Sequence, residues 1–84
     1  MNRAVILRAA DIEPIPCEVQ VLEKQFVKLV VPPDRLIPDK FILCRVGFPD
    51  CHEAVIDWRL GNSVGARLVG IEPRPSWYTE TGAK

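Results

Sequence analysis

This 84-residue chain has a single histidine and no net charge, and each of these argues against a class of function. Eleven acidic residues balance eleven basic ones, so the formal net charge is zero. A neutral chain sets up no long-range field that would attract it to nucleic acid or to an anionic membrane. The single histidine, His52, leaves little for a Ser-His-Asp or Cys-His centre, and the carboxylates are scattered singly. We therefore expect a protein that is not an enzyme and that binds no nucleic acid.

The three cysteines follow neither a metal-binding nor a disulfide pattern. Cys17, Cys44 and Cys51 are an odd number with no CxxC spacing, so no disulfide framework and no zinc site is predicted. Cys17 and Cys44 fall in strand-like runs, where a reduced thiol packs as a small hydrophobe. Neighbours in an extended chain point to opposite faces, so Cys51 and His52 would not converge on one ion. We interpret Cys51-His52 as part of a surface turn, and we expect no metal.

Long apolar runs are also missing. No stretch approaches the roughly 20 apolar residues that span a bilayer. Residues 1–10 do not resemble a signal peptide, because Arg3 and Arg8 bracket only four apolar residues. These features predict a cytoplasmic protein without membrane insertion.

What the chain does contain is short segments of alternating polarity, separated by Pro, Gly, Asn and Asp. This pattern predicts six β-strands, at residues 3–10, 17–22, 26–31, 41–46, 53–59 and 64–68. A chain of this length makes one domain, and six strands are too few for a large sandwich. We predict an all-β protein, a small antiparallel six-stranded closed or nearly closed barrel over residues 1–71.

Trp58 and the tail residue Trp77 are predicted to lie in different environments. Trp58 shares the alternating face of its segment with Ala54 and Ile56, which predicts a buried core residue. Residues 72–84 form a short irregular C-terminal tail without apolar period, and they contain Trp77 and Tyr78. The tail is interpreted as a frayed terminus, with a docking segment as the alternative, because aromatic residues are enriched at binding hot spots.

The order of these segments resembles the PilZ domain family, small β-barrels that many bacteria use to read cyclic di-GMP. The resemblance covers residues 17–68 and is most specific at residues 37–41 (IPDKF), at Trp58-Arg59 and at residues 64–68 (VGARL). It implies a six-stranded split barrel and a role in signalling. Members bind their ligand through an arginine pair spaced RxxxR and a hairpin motif (D/N)xSxxG, in which guanidinium groups hold phosphates and guanine faces.

This chain departs from both motifs. Anchoring on residues 17–19 places Val21 where the family has Asp or Asn, Glu23 where it has Ser, and Phe26 where it has Gly. Val removes an acceptor, Glu adds negative charge near an anionic ligand, and Phe adds bulk. Arg3 and Arg8 read RxxxxR, and an odd spacing puts two side chains on opposite faces of an extended segment.

The resemblance therefore implies a bacterial signalling adaptor with weak or lost nucleotide binding that acts through contacts with a protein partner. Cyclic di-GMP is the one ligand implied, and any retained binding would use Arg3, Arg8 and Glu23; no other cofactor is expected. The alternative is an SH3- or OB-type barrel that binds single-stranded nucleic acid, which needs an exposed aromatic face among basic residues. Phe26, Phe41, Phe48 and Trp58 are instead expected on inward positions.

Overall fold

The chain folds into six antiparallel strands. The structure, a computed structural model, describes residues 2–8, 13–73 and 75, and within them it contains no helix. The strands are β1 (Asn2–Leu7), β2 (Ile15–Val21), β3 (Phe26–Val30), β4 (Lys40–Arg45), β5 (Cys51–Leu60) and β6 (Ser63–Glu72). The prediction of an all-β, six-stranded antiparallel barrel is confirmed. No helix in these ranges has the length and apolarity that crossing a membrane would require.

The strands close into a barrel in the order β1-β2-β3-β6-β5-β4. Four of the pairings join strands that are consecutive in the chain, whereas β3–β6 and β1–β4 join distant segments and close the barrel. The β3–β4 loop (31–39) and the β5–β6 turn (61–62) lie at one end, which we call the loop end. The β2–β3 turn (22–25) and the β4–β5 turn (46–50) lie at the opposite end, which we call the hairpin end.

The barrel interior is an apolar core. Alternate residues of each strand point inward, and among the described residues no polar or charged residue is buried. Burying one Leu, Ile or Val side chain contributes about 1.5–3 kcal/mol to folding. The largest fully buried side chains of this core are Ile6, Ile15, Val19, Leu29 and Leu43.

Strand β2 begins earlier than the prolines around it suggest. It starts at Ile15 and includes Pro16, which lies opposite Val5 of β1. On its other side, β2 pairs with β3 only from Glu18 onward, since Glu18 lies opposite Val30, the last residue of β3. Proline has no backbone N–H to donate. Because Pro16 lies before the β2–β3 pairing begins, no hydrogen bond between β2 and β3 is lost.

The expectation that Trp58 is buried is wrong. The register of β5 against β6 shifts between Ile56, which faces Ala66, and Trp58, which faces Gly65, so Asp57 is an extra residue in a β-bulge. A bulge changes the side to which the following residues point. Trp58 consequently lies on the outer surface, 42% exposed, with its indole ring against Gly65.

The predictions of a reduced Cys44 and of Cys51 in a surface turn are also wrong, although Cys44 is buried in a strand as expected. Cys51 is the first residue of β5 rather than part of a surface turn, and it lies opposite Cys44 of β4 at a Cα–Cα distance of 4.4 Å. That distance is typical of a non-hydrogen-bonded antiparallel pair, and the two cysteines form a disulfide. Sequence spacing did not indicate this bond, because only the β4–β5 register brings the two residues opposite each other.

The disulfide belongs to a second apolar cluster on the outer side of the barrel wall. Leu7, Cys44 and Cys51 are buried there, with Val5 and Ile42 packed against them; we call these five residues the outer cluster. They alternate with the core residues along β1 and β4, so they point away from the interior. Disulfides are rare in the reducing cytosol, so this bond weighs against a cytoplasmic location, which stays a prediction.

Replacing Gly65 by Ala should destabilise the barrel, because a Cβ at this position would overlap the indole ring of Trp58. Overpacking of this kind costs about 1–3 kcal/mol. In a Trp58→Ala background the same replacement should become neutral or stabilising, since the obstruction is gone and Ala restricts the unfolded chain more than Gly does. Urea unfolding of the four proteins in this double-mutant cycle measures the coupling.

Gly70→Ala is the matched control, because a Cβ at Gly70 meets nothing within 4 Å. It should leave the free energy of unfolding unchanged or raise it. An equal loss for Gly65→Ala with and without Trp58 would contradict the proposed packing.

Reducing the Cys44–Cys51 bond should lower the free energy of unfolding by about 2–3 kcal/mol, the chain-entropy effect expected for a short loop. The cysteines are only seven positions apart. Denaturant titrations with and without reductant measure the difference, and the Cys44→Ala/Cys51→Ala variant should not respond to reductant. Three free thiols in the unfolded, air-oxidised chain would show that the bond does not form.

Candidate functional site

The three residues proposed for nucleotide binding lie at different places on the barrel. Arg3 is exposed on β1 opposite Glu18 of β2, and its carbonyl accepts a hydrogen bond from the Val46 amide at 3.0 Å. Arg8 is exposed and follows the end of β1 toward the loop end. Glu23 lies in the β2–β3 turn at the hairpin end.

The separation of these residues follows from the strand register. Ile6 lies opposite Ile15, so Arg8 is close to the start of β2, whereas Glu23 follows its last residue. At about 3.3 Å per residue, the path from Ile15 to Glu23 is roughly 26 Å. Arg3 and Arg8 are themselves about 16 Å apart along the chain by the same rise. The fold therefore does not bring Arg3, Arg8 and Glu23 together into one clamp.

An RxxxR spacing could not be restored by a single substitution on this strand. A second arginine four residues from Arg3 would replace Leu7, and one four residues from Arg8 would replace Ala4. Both positions are buried, one in the outer cluster and the other in the core. A charged side chain there would lose its hydration without gaining a partner, which is strongly destabilising.

The β2–β3 hairpin presents apolar side chains at the positions where the family resemblance places polar ligand contacts. Val21, Leu22 and Phe26 are all exposed, Val21 to 51%; we call these three residues the hairpin patch. The turn between them is closed by hydrogen bonds between the backbones of Glu23 and Phe26, at 3.2 and 3.3 Å. Val21 has an inward position, opposite Val27, but it lies at the rim of the barrel where β2 ends. The turn is therefore held by backbone hydrogen bonds, with Leu22 and Phe26 on the outer face of the hairpin and Val21 at the rim of the barrel.

The residues that carry the family resemblance have a structural role at the loop end. Arg59 forms an ion pair with Asp39 through Nη2 and Oδ1 at 2.7 Å, and the Ile56 amide donates to the Asp39 carbonyl at 2.9 Å. These contacts attach the β3–β4 loop to β5. The ion pair is exposed, and pairs of this kind contribute only about 0–1 kcal/mol to stability.

A cleft of about 90 Å³ lies at the loop end, between the β3–β4 loop and the β5–β6 turn. Its two arginines are engaged, Arg59 with Asp39 and Arg35 with Glu13 at 3.6 Å. Binding sites for drug-sized ligands usually measure about 300–1,000 Å³. The cleft is too small to enclose a cyclic dinucleotide.

Arg45 lies at the hairpin end with its guanidinium carbon 4.2 Å from the centre of the Phe48 ring. This is a cation–π distance, and such contacts contribute about 0.5–1 kcal/mol at exposed sites. The Arg45 Nε is buried and has no hydrogen-bond partner within the described ranges. The stacking occupies Phe48, so this ring is not a free platform for a base.

Cys17 is a free, buried thiol in β2, as predicted. Burial, with a smaller contribution from the neighbouring Glu18 carboxylate, raises the pKa of the Cys17 thiol to about 12. The thiolate is the reactive form of cysteine, so at neutral pH Cys17 is not an activated nucleophile. In the part of the chain that the structure describes, no three His, Cys, Asp or Glu side chains are grouped to hold a metal ion.

The prediction that the aromatic residues point inward holds for only one of the four. Phe41 is buried in the core, whereas Phe26, Phe48 and Trp58 are exposed. Phe26 begins β3 at the hairpin end, and Trp58 lies toward the loop end of β5. The tail pair Trp77-Tyr78 lies outside the described residues.

Two features of the surface were not anticipated from the sequence. The hairpin patch could have been identified from Val21-Leu22 and Phe26, which place apolar residues on both sides of a polar turn. Strand β6 continues four residues beyond the predicted end at Leu68, to Glu72. The apolar residues Val69 and Ile71 were the available signal for this extension.

Comparison with known proteins does not assign the chain to a family: no protein-family model, no curated protein and no solved structure matches it.

Proposed function

We propose that this protein is a PilZ-like bacterial signalling adaptor that has weak or no affinity for cyclic di-GMP and acts through protein contacts. The observation that carries the proposal is the hairpin patch. Apolar Val21, Leu22 and Phe26 are exposed on the hairpin where the resembling family presents its ligand-binding residues. Exposed apolar side chains that lie close together on a surface are typical of protein-binding sites.

The geometry of the charged residues supports the loss of nucleotide binding. Cyclic di-GMP carries two phosphates, and its recognition needs cationic groups that converge. Arg3 lies in β1 and Arg8 follows its end, Arg59 pairs with Asp39, and Arg67 lies 3.8 Å from Asp57. Glu23 adds a negative charge on the hairpin itself. None of these arrangements offers a paired, unengaged arginine clamp beside the hairpin.

The nucleic-acid alternative has less support. Exposed Trp58 is close to two cations, since Gly65 lies between Trp58 and Lys28 in the sheet and Arg67 follows on β6. However, single-stranded nucleic acid binds to rows of aromatic rings along a basic groove. Phe26 is at the hairpin end, and Phe48 stacks on Arg45. The exposed rings therefore do not form one continuous surface.

Titration of the protein with cyclic di-GMP at low salt should show a dissociation constant well above about 1 μM, the value that corresponds to about −8 kcal/mol. Isothermal titration calorimetry measures it. Binding at 1 μM or tighter that is lost in Arg3→Ala or Arg8→Ala would overturn the proposal. Arg59→Ala is the matched control, because it removes an equal charge from the loop end.

Leu22→Lys should reduce capture of a protein partner from a bacterial lysate, because a charge at the hairpin patch opposes burial of the surrounding apolar surface. Leu60→Lys is the matched control, since Leu60 is an exposed leucine at the other end of the barrel. Quantitative mass spectrometry should identify proteins retained by the parent and by Leu60→Lys but depleted with Leu22→Lys. Identical capture by all three proteins would contradict a role for the patch.

A further inference from the structure

The outer cluster is buried although it lies on the outside of the barrel wall. The side chains of Leu7, Cys44 and Cys51 are at most 1% exposed. A side chain on the outer face of a single sheet layer keeps its tip in contact with water unless a further segment of chain lies over it. The near-zero exposure of the disulfide therefore requires a covering segment.

The β4–β5 turn is the described segment nearest to the disulfide in sequence, and its large apolar side chains face solvent for much of their surface. Val46 and Phe48 are each 45% exposed, and the Phe48 ring stacks on Arg45. Side chains that are themselves this exposed do not seal Cys44 and Cys51 from water. The cover must come from another part of the chain.

The chain that follows β6 starts beside the disulfide. Glu72, the last residue of β6, lies opposite Cys51. Pro73 and Pro75 come next, and proline has no backbone N–H with which to continue the ladder. Pro73 is exposed, whereas Pro75 is half-buried, so the chain packs again shortly after it leaves the sheet.

We propose that residues 76–84 lie across the outer cluster, with Trp77 and Tyr78 packed over the Cys44–Cys51 disulfide. These residues lie outside the described ranges, and their large apolar side chains are this aromatic pair alone. Each aromatic side chain can bury about 150–250 Å². The pair therefore supplies the apolar area that a cover for the outer cluster needs.

The distance from β6 to the outer cluster matches the length of this segment. Neighbouring strands lie about 4.8 Å apart, so β4 is roughly 10 Å and β1 roughly 14 Å from β6 across β5. Trp77 is five residues beyond Glu72, a reach of up to about 16 Å. Pro73 and Pro75 restrict the unfolded chain, which lowers the entropy cost of holding the segment in place.

A segment in this position protects the disulfide from reductants. Thiol–disulfide exchange begins when a thiolate attacks one sulfur atom, so its rate depends on access to that atom. The bond is reduced only when the covering segment moves away, and the tail thus sets the rate of reduction. The inference stands on the burial of the outer cluster and does not rest on the proposed signalling function.

Reduction of the native full-length chain by dithiothreitol tests the proposal. Samples are alkylated in denaturant and their thiols counted by mass spectrometry, where each reduced bond adds two thiols to that of Cys17. Trp77→Ala should be reduced at least about tenfold faster than the parent, because a smaller local opening then exposes the bond. Trp58→Ala is the matched control: it removes the same side chain elsewhere on the outer surface and should leave the rate unchanged.

Equal reduction rates in the parent and in Trp77→Ala would overturn the proposal. Rates that follow the global free energy of unfolding of the three proteins, measured by urea titration of their oxidised forms, would overturn it as well. A third contrary result is faster reduction of Ile12→Ala with no change for Trp77→Ala, which would assign the cover to the segment between β1 and β2.

Fluorescence of Trp77 tests the contact itself. The chain has two tryptophans, so the tryptophan emission of Trp58→Phe comes from Trp77 alone. It should be blue-shifted relative to the same protein in urea, because a covered indole is shielded from water. It should brighten on reduction, because a disulfide in contact quenches an indole, and Cys44→Ala/Cys51→Ala in this background should not respond. Native emission identical to that of the urea-unfolded protein would show that Trp77 does not lie on the outer cluster.

Discussion

Two strand pairings between distant parts of the chain, β3 with β6 and β1 with β4, create the barrel on which every other feature depends. Without them the chain would form two separate three-stranded meanders, β1-β2-β3 and β4-β5-β6, each with an apolar face exposed to water. Closure brings Leu29 of β3 opposite Val64 of β6, and Ile6 of β1 opposite Leu43 of β4. The barrel then encloses a core in which no described polar group is buried.

The β1–β4 pairing also determines which side chains lie on the outer surface of the barrel. Once Ile6 and Leu43 point inward, the intervening residues of β1 and β4 must point outward, and these residues form the outer cluster. The register of the β4–β5 hairpin places Cys44 directly opposite Cys51, and this is what allows the disulfide to form. Trp58 lies on the outer surface instead. Its position in the alternating pattern predicts an inward side chain, but the bulge at Asp57 reverses the side to which it points.

The candidate functional surfaces arise where strands of unequal length meet. β6 extends beyond the start of β3, so the β2–β3 hairpin and residues 69–72 of β6 lie at the same end of the barrel. Val21 is exposed for the same reason, since its inward position lies at the rim. Apolar side chains of both segments are exposed at this end, among them Leu22 and Ile71.

The sequence by itself determined the fold class, the strands and the turns, because alternating polarity and the placement of Gly and Pro act locally. It predicted the segments around Val19, Leu29 and Leu43 as strands and Cys17 as a buried thiol. Only the tertiary structure decided the pairing partners, the bulge, the disulfide and the separation of Arg3, Arg8 and Glu23. These depend on the register between paired strands, which alternating polarity does not specify, and a shift of one residue reverses the face to which every side chain points.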